Sequence, residues 1–231
     1  MAIELICLDA DDTLWHNMRY FEAAESALAA MLEPFATVAA AREQFEKVTA
    51  RNLALYGYGA KSFTLSMLES AAELCGDSLP ASMIQAILAA GRQLLSHPVE
   101  LFPEVEATLE ALAARGPLVL VTKGDLLHQE AKIAASGLGH RFAAVEIVSD
   151  KTAANFRRLF ADHGAEPDRC VVAGDSVRSD VLPALEAGAW AAHVPHSIVW
   201  AHERRDAPMD HPRFRRLGRL SDLPAWIDSL G

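Results

Sequence analysis

Four short stretches of this 231-residue chain carry side chains that could do chemistry together. Asp9-Ala10-Asp11-Asp12-Thr13 sets three carboxylates and a hydroxyl within five residues, and Thr122-Lys123-Gly124 offers a hydroxyl, an ammonium and a pliable backbone. Lys151 adds a second ammonium, and Gly174-Asp175-Ser176-Val177-Arg178-Ser179-Asp180 adds two further acids. If Asp9, Asp11, Asp175 and Asp180 converge, their repulsion needs compensation, and an oxygen-seeking divalent cation supplies it. Mg²⁺ suits such a set better than zinc, because no histidine or cysteine accompanies the acids. Phosphoryl transfer fits the remaining parts: a loose transition state with charge on its equatorial oxygens calls for cationic and hydrogen-bonding groups. Mg²⁺, Lys151 and Thr122 would provide them.

The elements that would position these residues follow from hydropathy patterning. Ile3 to Leu8 is a short apolar run ending at the first acidic cluster, which predicts a strand buried on both faces of a parallel sheet. From residue 16 to 98 no strand pattern occurs. Phe21, Ala24, Leu28 and Leu32 share one helical face, and Phe45, Val48, Asn52 and Leu55 another. Two more helical stretches run from about Phe63 to Cys75 and from Ala81 to Leu95, separated by Gly57, Gly59, Gly76, Asp77 and Pro80, so the segment predicts a bundle of roughly four helices.

Beyond Pro98 and Pro103 helix and strand alternate. Helices are expected at 104–114, 126–136, 152–163 and 181–187, and strands at 118–121, 143–147, 170–173 and 190–194. That rhythm predicts an α/β fold, a doubly wound parallel sheet, with the helical segment inserted after its first strand. The domains are then 1–15 with 99–231 for the core and 16–98 for the insertion. In such sheets ligands sit at the carboxyl ends of the strands, where the four chemical stretches fall.

Composition narrows the class. A net charge of −10 argues against a general nucleic-acid binder, which needs a positive surface to displace counterions. Cys7, Cys75 and Cys170 form no CxxC pair and no even framework, so reduced core thiols are expected in a cytoplasmic protein. The N-terminus has no basic start followed by a long apolar stretch, and no run of about 18 apolar residues appears, so neither secretion nor membrane insertion is expected.

Taken in order, Asp9-x-Asp11-x-Thr13, Thr122, Lys151 and Gly174-Asp175-x-x-x-x-Asp180 resemble the four motifs of the haloacid dehalogenase-like (HAD) hydrolase superfamily. The match spans almost the whole chain, and the inserted bundle resembles that superfamily's helical, C1-type cap. The resemblance implies a Rossmann-like core and a phosphatase in which Asp9 attacks phosphorus to give an aspartyl-phosphate. Asp11 would protonate the leaving oxygen and then activate water. It implies that Asp9, Asp175 and the backbone carbonyl of Asp11 hold Mg²⁺ with Asp180 completing or orienting the shell, while Thr122, Lys123, Gly124 and Lys151 meet the phosphate. Members that cleave carbon–halogen bonds lack an acid two residues after the nucleophile, so Asp11 favours phosphate over haloacid. Lys123 and Thr152 depart from the commonest forms, where Asn and Pro are frequent.

Other features have plainer readings. Asp12 reads as structural. Gly57-Tyr58-Gly59-Ala60-Lys61-Ser62 lacks the order of a nucleotide-binding loop and follows a helix; the resemblance suggests a substrate-facing loop with Tyr58 and Lys61, against an ordinary interhelical turn. The nine histidines show no metal-like spacing and read as surface or cap contacts. Trp15 and His16 fit either a pocket lining or hinge packing. The arginine cluster from Arg204 to Arg219 reads as a solvated surface segment, and Ser221 to Leu230 as a closing helix with Ser221 at its N-cap. The expected partner is a small phosphorylated metabolite, with no nucleic acid and no membrane, and with monomer and homodimer both open. The rivals are a phosphomutase returning the phosphate to a sugar and, from another class, a phosphoacceptor signalling domain.

Overall fold

A computed structural model describes residues 2–230. Strand β1 (Leu5–Leu8) is followed by four helices: α1 (Met18–Met31), α2 (Val38–Tyr56), α3 (Ala60–Cys75) and α4 (Ala81–Ser96). Helix and strand then alternate through α5 (Val105–Ala113), β2 (Leu118–Lys123), α6 (Leu126–Ser136), β3 (Ala144–Val148), α7 (Ala153–Asp162), β4 (Cys170–Gly174), α8 (Leu182–Glu186) and β5 (Trp190–His193). A short strand β6 (Phe214–Arg216) and helix α9 (Leu223–Asp228) close the chain. The chain forms two compact units. One holds the residues up to His16, Val99–Lys123 and those from Gln129 onward; the other holds Asn17–Pro98 with Gly124–His128.

In the first unit six strands pair in parallel in the order β3-β2-β1-β4-β5-β6, a Rossmann-like, doubly wound sheet. Successive side chains of a strand point to opposite faces, and the cores obey that period. Ile6 and Leu8, Leu118 and Leu120, and Val171 and Ala173 pack on one face against Leu109, Leu112, Leu223 and Trp226. Leu5 and Cys7, Val119 and Val121, and Cys170 and Val172 pack on the other against Phe156, Phe160 and Val181. All four residues of β1 are fully buried, which is why this strand reads as an unbroken apolar run. Each such aliphatic side chain contributes roughly 1.5–3 kcal/mol, so a charge at Ile6 or Leu8 would unseat the central strand.

The second unit is helical. Leu28, Leu32, Phe45, Phe63, Met67, Ala71, Ile87 and Leu94 form its core. Phe63 meets Phe21 and Phe45 edge to face at 5.0 and 4.8 Å. Gly91 of α4 faces Thr64 of α3 so closely that a Cβ there would lie 2.3 Å from Thr64 Oγ1. Thr37 caps α2 by accepting from the Ala40 amide.

Two expectations need correction. The segment after His196 is not simply solvated: β6 adds to the sheet edge beside β5, and Glu203 turns inward among polar partners. Three residues are too few to leave a periodic signature. The last helix takes Asp222 rather than Ser221 as its N-cap, because Leu220–Asp222 winds first as a 3₁₀ turn. A single π turn, Val177–Val181, precedes α8. Among the described residues no helix is long and apolar enough to cross a membrane, and the three cysteines are buried and unpaired.

Candidate active site

The strand order reverses its direction of growth between β1 and β4, and an open α/β sheet forms its crevice beyond the carboxyl ends of such a pair. Leu8 stands in register with Ala173, so Asp9 and Asp175 both emerge at that crevice. The Asp9 amide donates to the Ala173 carbonyl at 2.9 Å, which carries strand geometry one residue past β1. The chain then turns tightly: the Thr13 and Leu14 amides donate to the Ala10 carbonyl, and Asp12 adopts a φ of 60°. Left-handed backbone at a non-glycine residue is costly and persists where surroundings impose it. The turn directs Thr13 back, so that its hydroxyl donates to Asp9 Oδ2 at 2.9 Å and accepts from the Asp175 amide at 3.1 Å.

Asp9, Asp175 and Asp180 each offer a carboxylate oxygen within 4.8 Å of the others. Lys151, buried at the approach to α7, donates to Asp9 Oδ1 at 2.5 Å and to Asp180 Oδ1 at 2.6 Å. The Ser176 amide donates to the second oxygen of Asp180 at 3.0 Å. Gly174 is required here, since a Cβ would come within 2.2 Å of Asp180 Oδ2. Asp175 makes its two hydrogen bonds through its backbone, the second with His193 Nε2 at 2.8 Å. Burial pushes the Asp9 carboxyl up to about 7; Lys151 opposes this, while Asp180 and Asp11 add to it. Burial, then the charges of Asp9 and Asp180, raise Asp175 well above the usual carboxylate range. For Lys151 burial pulls downward, but Asp180 and Asp9 outweigh it and hold the ammonium charged. This is an all-oxygen set with more negative charge than one lysine answers, and its chemistry fits a hard divalent cation.

Asp11 has different company. Lys132 Nζ lies 2.6 Å from both of its carboxylate oxygens, Gln129 Nε2 donates at 3.0 Å, and the Trp15 indole N–H donates at 2.7 Å. Burial alone would raise its pKa, but Lys132's charge and these donors lower it. Gln129 also donates to Thr122 Oγ1 at 3.1 Å and to the Lys123 carbonyl at 2.8 Å, so one amide ties Asp11 to the end of β2.

The other expected residues fall as follows. Thr122 is buried beside Gln129 within β2, and Lys123 ends the strand with its ammonium on Ser179 Oγ (2.7 Å) and Glu203 Oε1 (2.5 Å). Gly124 groups with the helical unit and holds a φ of 144°, which favours glycine. Tyr58 and Lys61 belong to that same unit, where Lys61 pairs with Asp125 at 2.9 Å. Asp125 also accepts from the His128 amide, as a cap at the start of α6. Trp15 is fully buried beneath Asp11, a packing and hydrogen-bonding position. The histidines are not all surface residues: His193 contacts Asp175, and His196 Nε2 lies 3.7 Å from Asp12.

Sequence reasoning missed Gln129, Lys132 and Glu203. Gln129 and Lys132 stand three residues apart and are buried, whereas Leu126 and Leu127 are exposed. Polar residues spaced along a helix at one face were the available signal, and the two leucines disguised it.

A model of the haloacid dehalogenase-like hydrolase family matches residues 3–188, and the chain belongs to that family. It is therefore a hydrolase. A haloacid dehalogenase-like family hydrolase from Xanthomonas campestris is similar over 99% of this chain and 92% of its own, at 38% identity and a TM-score of 0.89. A 2-haloacid dehalogenase from Pseudomonas syringae pv. Tomato DC3000 shares 24% identity over 99% and 100% of the two chains, with a TM-score of 0.62. A predicted phosphoglycolate phosphatase from Haemophilus somnus 129pt shares 20% over 97% of each, with a TM-score of 0.63. At those lower identities the likeness is one of fold. No curated protein matches this sequence.

Proposed function

We propose that this hydrolase is a Mg²⁺-dependent phosphatase that cleaves a small phosphorylated metabolite through an aspartyl-phosphate on Asp9. The observation that carries the reading is the second carboxylate: Asp11, two residues after the nucleophile, is fixed beside Thr122 by Gln129 and Lys132. An acid and base at that place serves a phosphoester with an oxygen leaving group; a halide needs no proton to depart.

Asp9 and Asp175, with the Asp11 backbone carbonyl, would hold Mg²⁺. Asp180, which accepts from Lys151 and the Ser176 amide, would complete or orient that shell. The bound ion would neutralise charge on the phosphoryl oxygens. Asp9 Oδ attacks phosphorus as the bond to the leaving oxygen breaks, and Asp11 passes a proton to that oxygen. Water then attacks the phosphorus of the acyl phosphate, Asp11 takes its proton, and Asp9 departs as carboxylate with free phosphate. Thr13 orients Asp9 for both steps, and Lys151 offsets the charge of Asp9 and Asp180 beside the reacting group. Lys132 lowers the Asp11 pKa, so the proton that Asp11 takes from water in the second step is readily given up to the leaving oxygen in the next turnover.

The test is a panel of phosphorylated metabolites assayed for phosphate release with Mg²⁺, run beside 2-haloacids assayed for halide release. Phosphate release that EDTA abolishes supports the proposal. Halide release without phosphate release would replace it with a dehalogenase. An isomerised phosphosugar in place of free phosphate would make the protein a mutase, and a stable phosphoprotein without turnover a phosphoacceptor.

A further inference from the structure

Glu203 lies outside the residues matched by the family model, in a segment whose sequence carries no motif. Its carboxylate nevertheless gathers donors from two places that bear the site. Oε1 accepts from Lys123 Nζ at 2.5 Å and Arg178 Nη1 at 3.3 Å, and Oε2 accepts from Ser176 Oγ at 2.5 Å and Ser179 Oγ at 2.6 Å. Ser176 Oγ in turn accepts from the Ser179 amide at 3.0 Å, and Lys123 Nζ also reaches Ser179 Oγ. These contacts close a ring around the turn from Ser176 to Asp180, which carries Asp180 and follows directly on Asp175.

Val177 and Val181 seat one side of that turn in the core and Asp180 accepts from Lys151, while the turn's two serine hydroxyls are held by Glu203. The segment winds as a π turn, a rare form found mostly as single turns and often at functional sites. Glu203 is the acceptor for both serine hydroxyls and the opposite charge that acts most strongly on Lys123. Burial acts to raise the Glu203 carboxyl, yet Lys123 and the two serine hydroxyls bring it down to about 2, so the anchor is a full negative charge. Glu203 is also kept out of reach of the solvent that would compete for these donors, with its side chain only 12% exposed.

We propose that Glu203 is a positioning residue for the acid cluster: by holding Lys123, Ser176 and Ser179 together, it fixes the turn that aims Asp175 and Asp180 at Asp9. Lys123 thereby belongs to the scaffold of that turn and not to the phosphate cradle. The metal-binding consequence rests on the Mg²⁺ reading of the site; the ordering of the turn does not.

Two measurements on the full chain separate these. Hydrogen–deuterium exchange should show peptides covering 176–181 exchanging about 10-fold faster in Glu203→Ala than in the wild type, with β1 and β2 peptides unchanged. Mg²⁺ titration calorimetry, well below the melting temperature of each variant, should show affinity falling by about 10-fold to 100-fold, the range for residues that orient metal ligands. Glu203→Gln keeps the shape and one set of acceptors and should fall between, and it serves if the alanine variant does not fold. A purely structural role would lower the melting temperature without moving the Mg²⁺ affinity. Unchanged exchange at 176–181 in both variants would overturn the proposal, as would wild-type Mg²⁺ affinity in a variant of loosened turn. A wild type that binds no Mg²⁺ would sink the metal reading and leave the exchange result to decide on Glu203.

Discussion

Asp9 and Asp11 are separated by a single residue, yet the protein surrounds them in opposite ways. Asp9 faces Asp175 and Asp180 with Lys151 shared between Asp9 and Asp180, and burial with like charge raises its pKa. Asp11 turns toward α6, where Lys132, Gln129 and Trp15 supply donors and lower it. Two carboxylates whose surroundings drive their proton affinities apart can take separate tasks in one reaction. On the proposed reading, the surplus of negative charge around Asp9 would receive a cation, and Asp11, already compensated, would handle protons.

The comparison breaks most visibly at Asp9. Asp9→Asn should reduce turnover by about 10⁴-fold with little change in melting temperature, because it removes the attacking oxygen and leaves the fold intact. Near-native turnover in that variant would end the covalent reading.

Lys132→Met tests the other side, by removing the charge that makes Asp11 unlike Asp9. Breaking this largely buried pair should cost about 3 kcal/mol in urea unfolding and raise the Asp11 pKa. A loss below about 0.5 kcal/mol would put the pair among ordinary surface contacts.

Asp11→Asn should slow turnover by about 10²-fold. If its chief duty is as base, the acid-stable phosphoenzyme fraction should rise, since formation then outruns hydrolysis. A fall in turnover with no phosphoenzyme would assign Asp11 to the first step instead.

The smallest expected effect is on stability against pH without metal. Asp9 has a folded pKa above its unfolded value, so between about 4 and 7 the folded state binds the extra proton and stability falls as pH rises. Asp11 has the reverse sign: its contribution is present above an unfolded value of about 4 and lost as pH falls through its lower folded value. Calorimetry in EDTA should show the melting temperature dropping on the order of 5 °C from pH 5 to 7.5, with Mg²⁺ reversing the drop. A flat profile in EDTA would mean that Lys151 alone satisfies the cluster.

Much of this was legible beforehand. The buried strand before Asp9 announced itself because four successive apolar residues suit a strand covered on both faces, and the inserted helices showed in their spacing. The meeting of Asp9, Asp175 and Lys151 followed from their places at strand ends. Strand β6 was not legible, being three residues long with two exposed arginines. Nor was the depth of Lys132, because a lysine on a helix is ordinarily solvated.

By itself, the sequence determined the fold class, the helical insertion and the acids of the crevice, since these depend on local hydropathy and on residues next to strand ends. Only the tertiary structure decided that Lys132 would meet Asp11 across 121 residues and Glu203 would meet Lys123 across 80. Such partners are chosen by where the packed sheet brings a buried charge, and a chain pattern with a period of two or four residues holds no record of that choice.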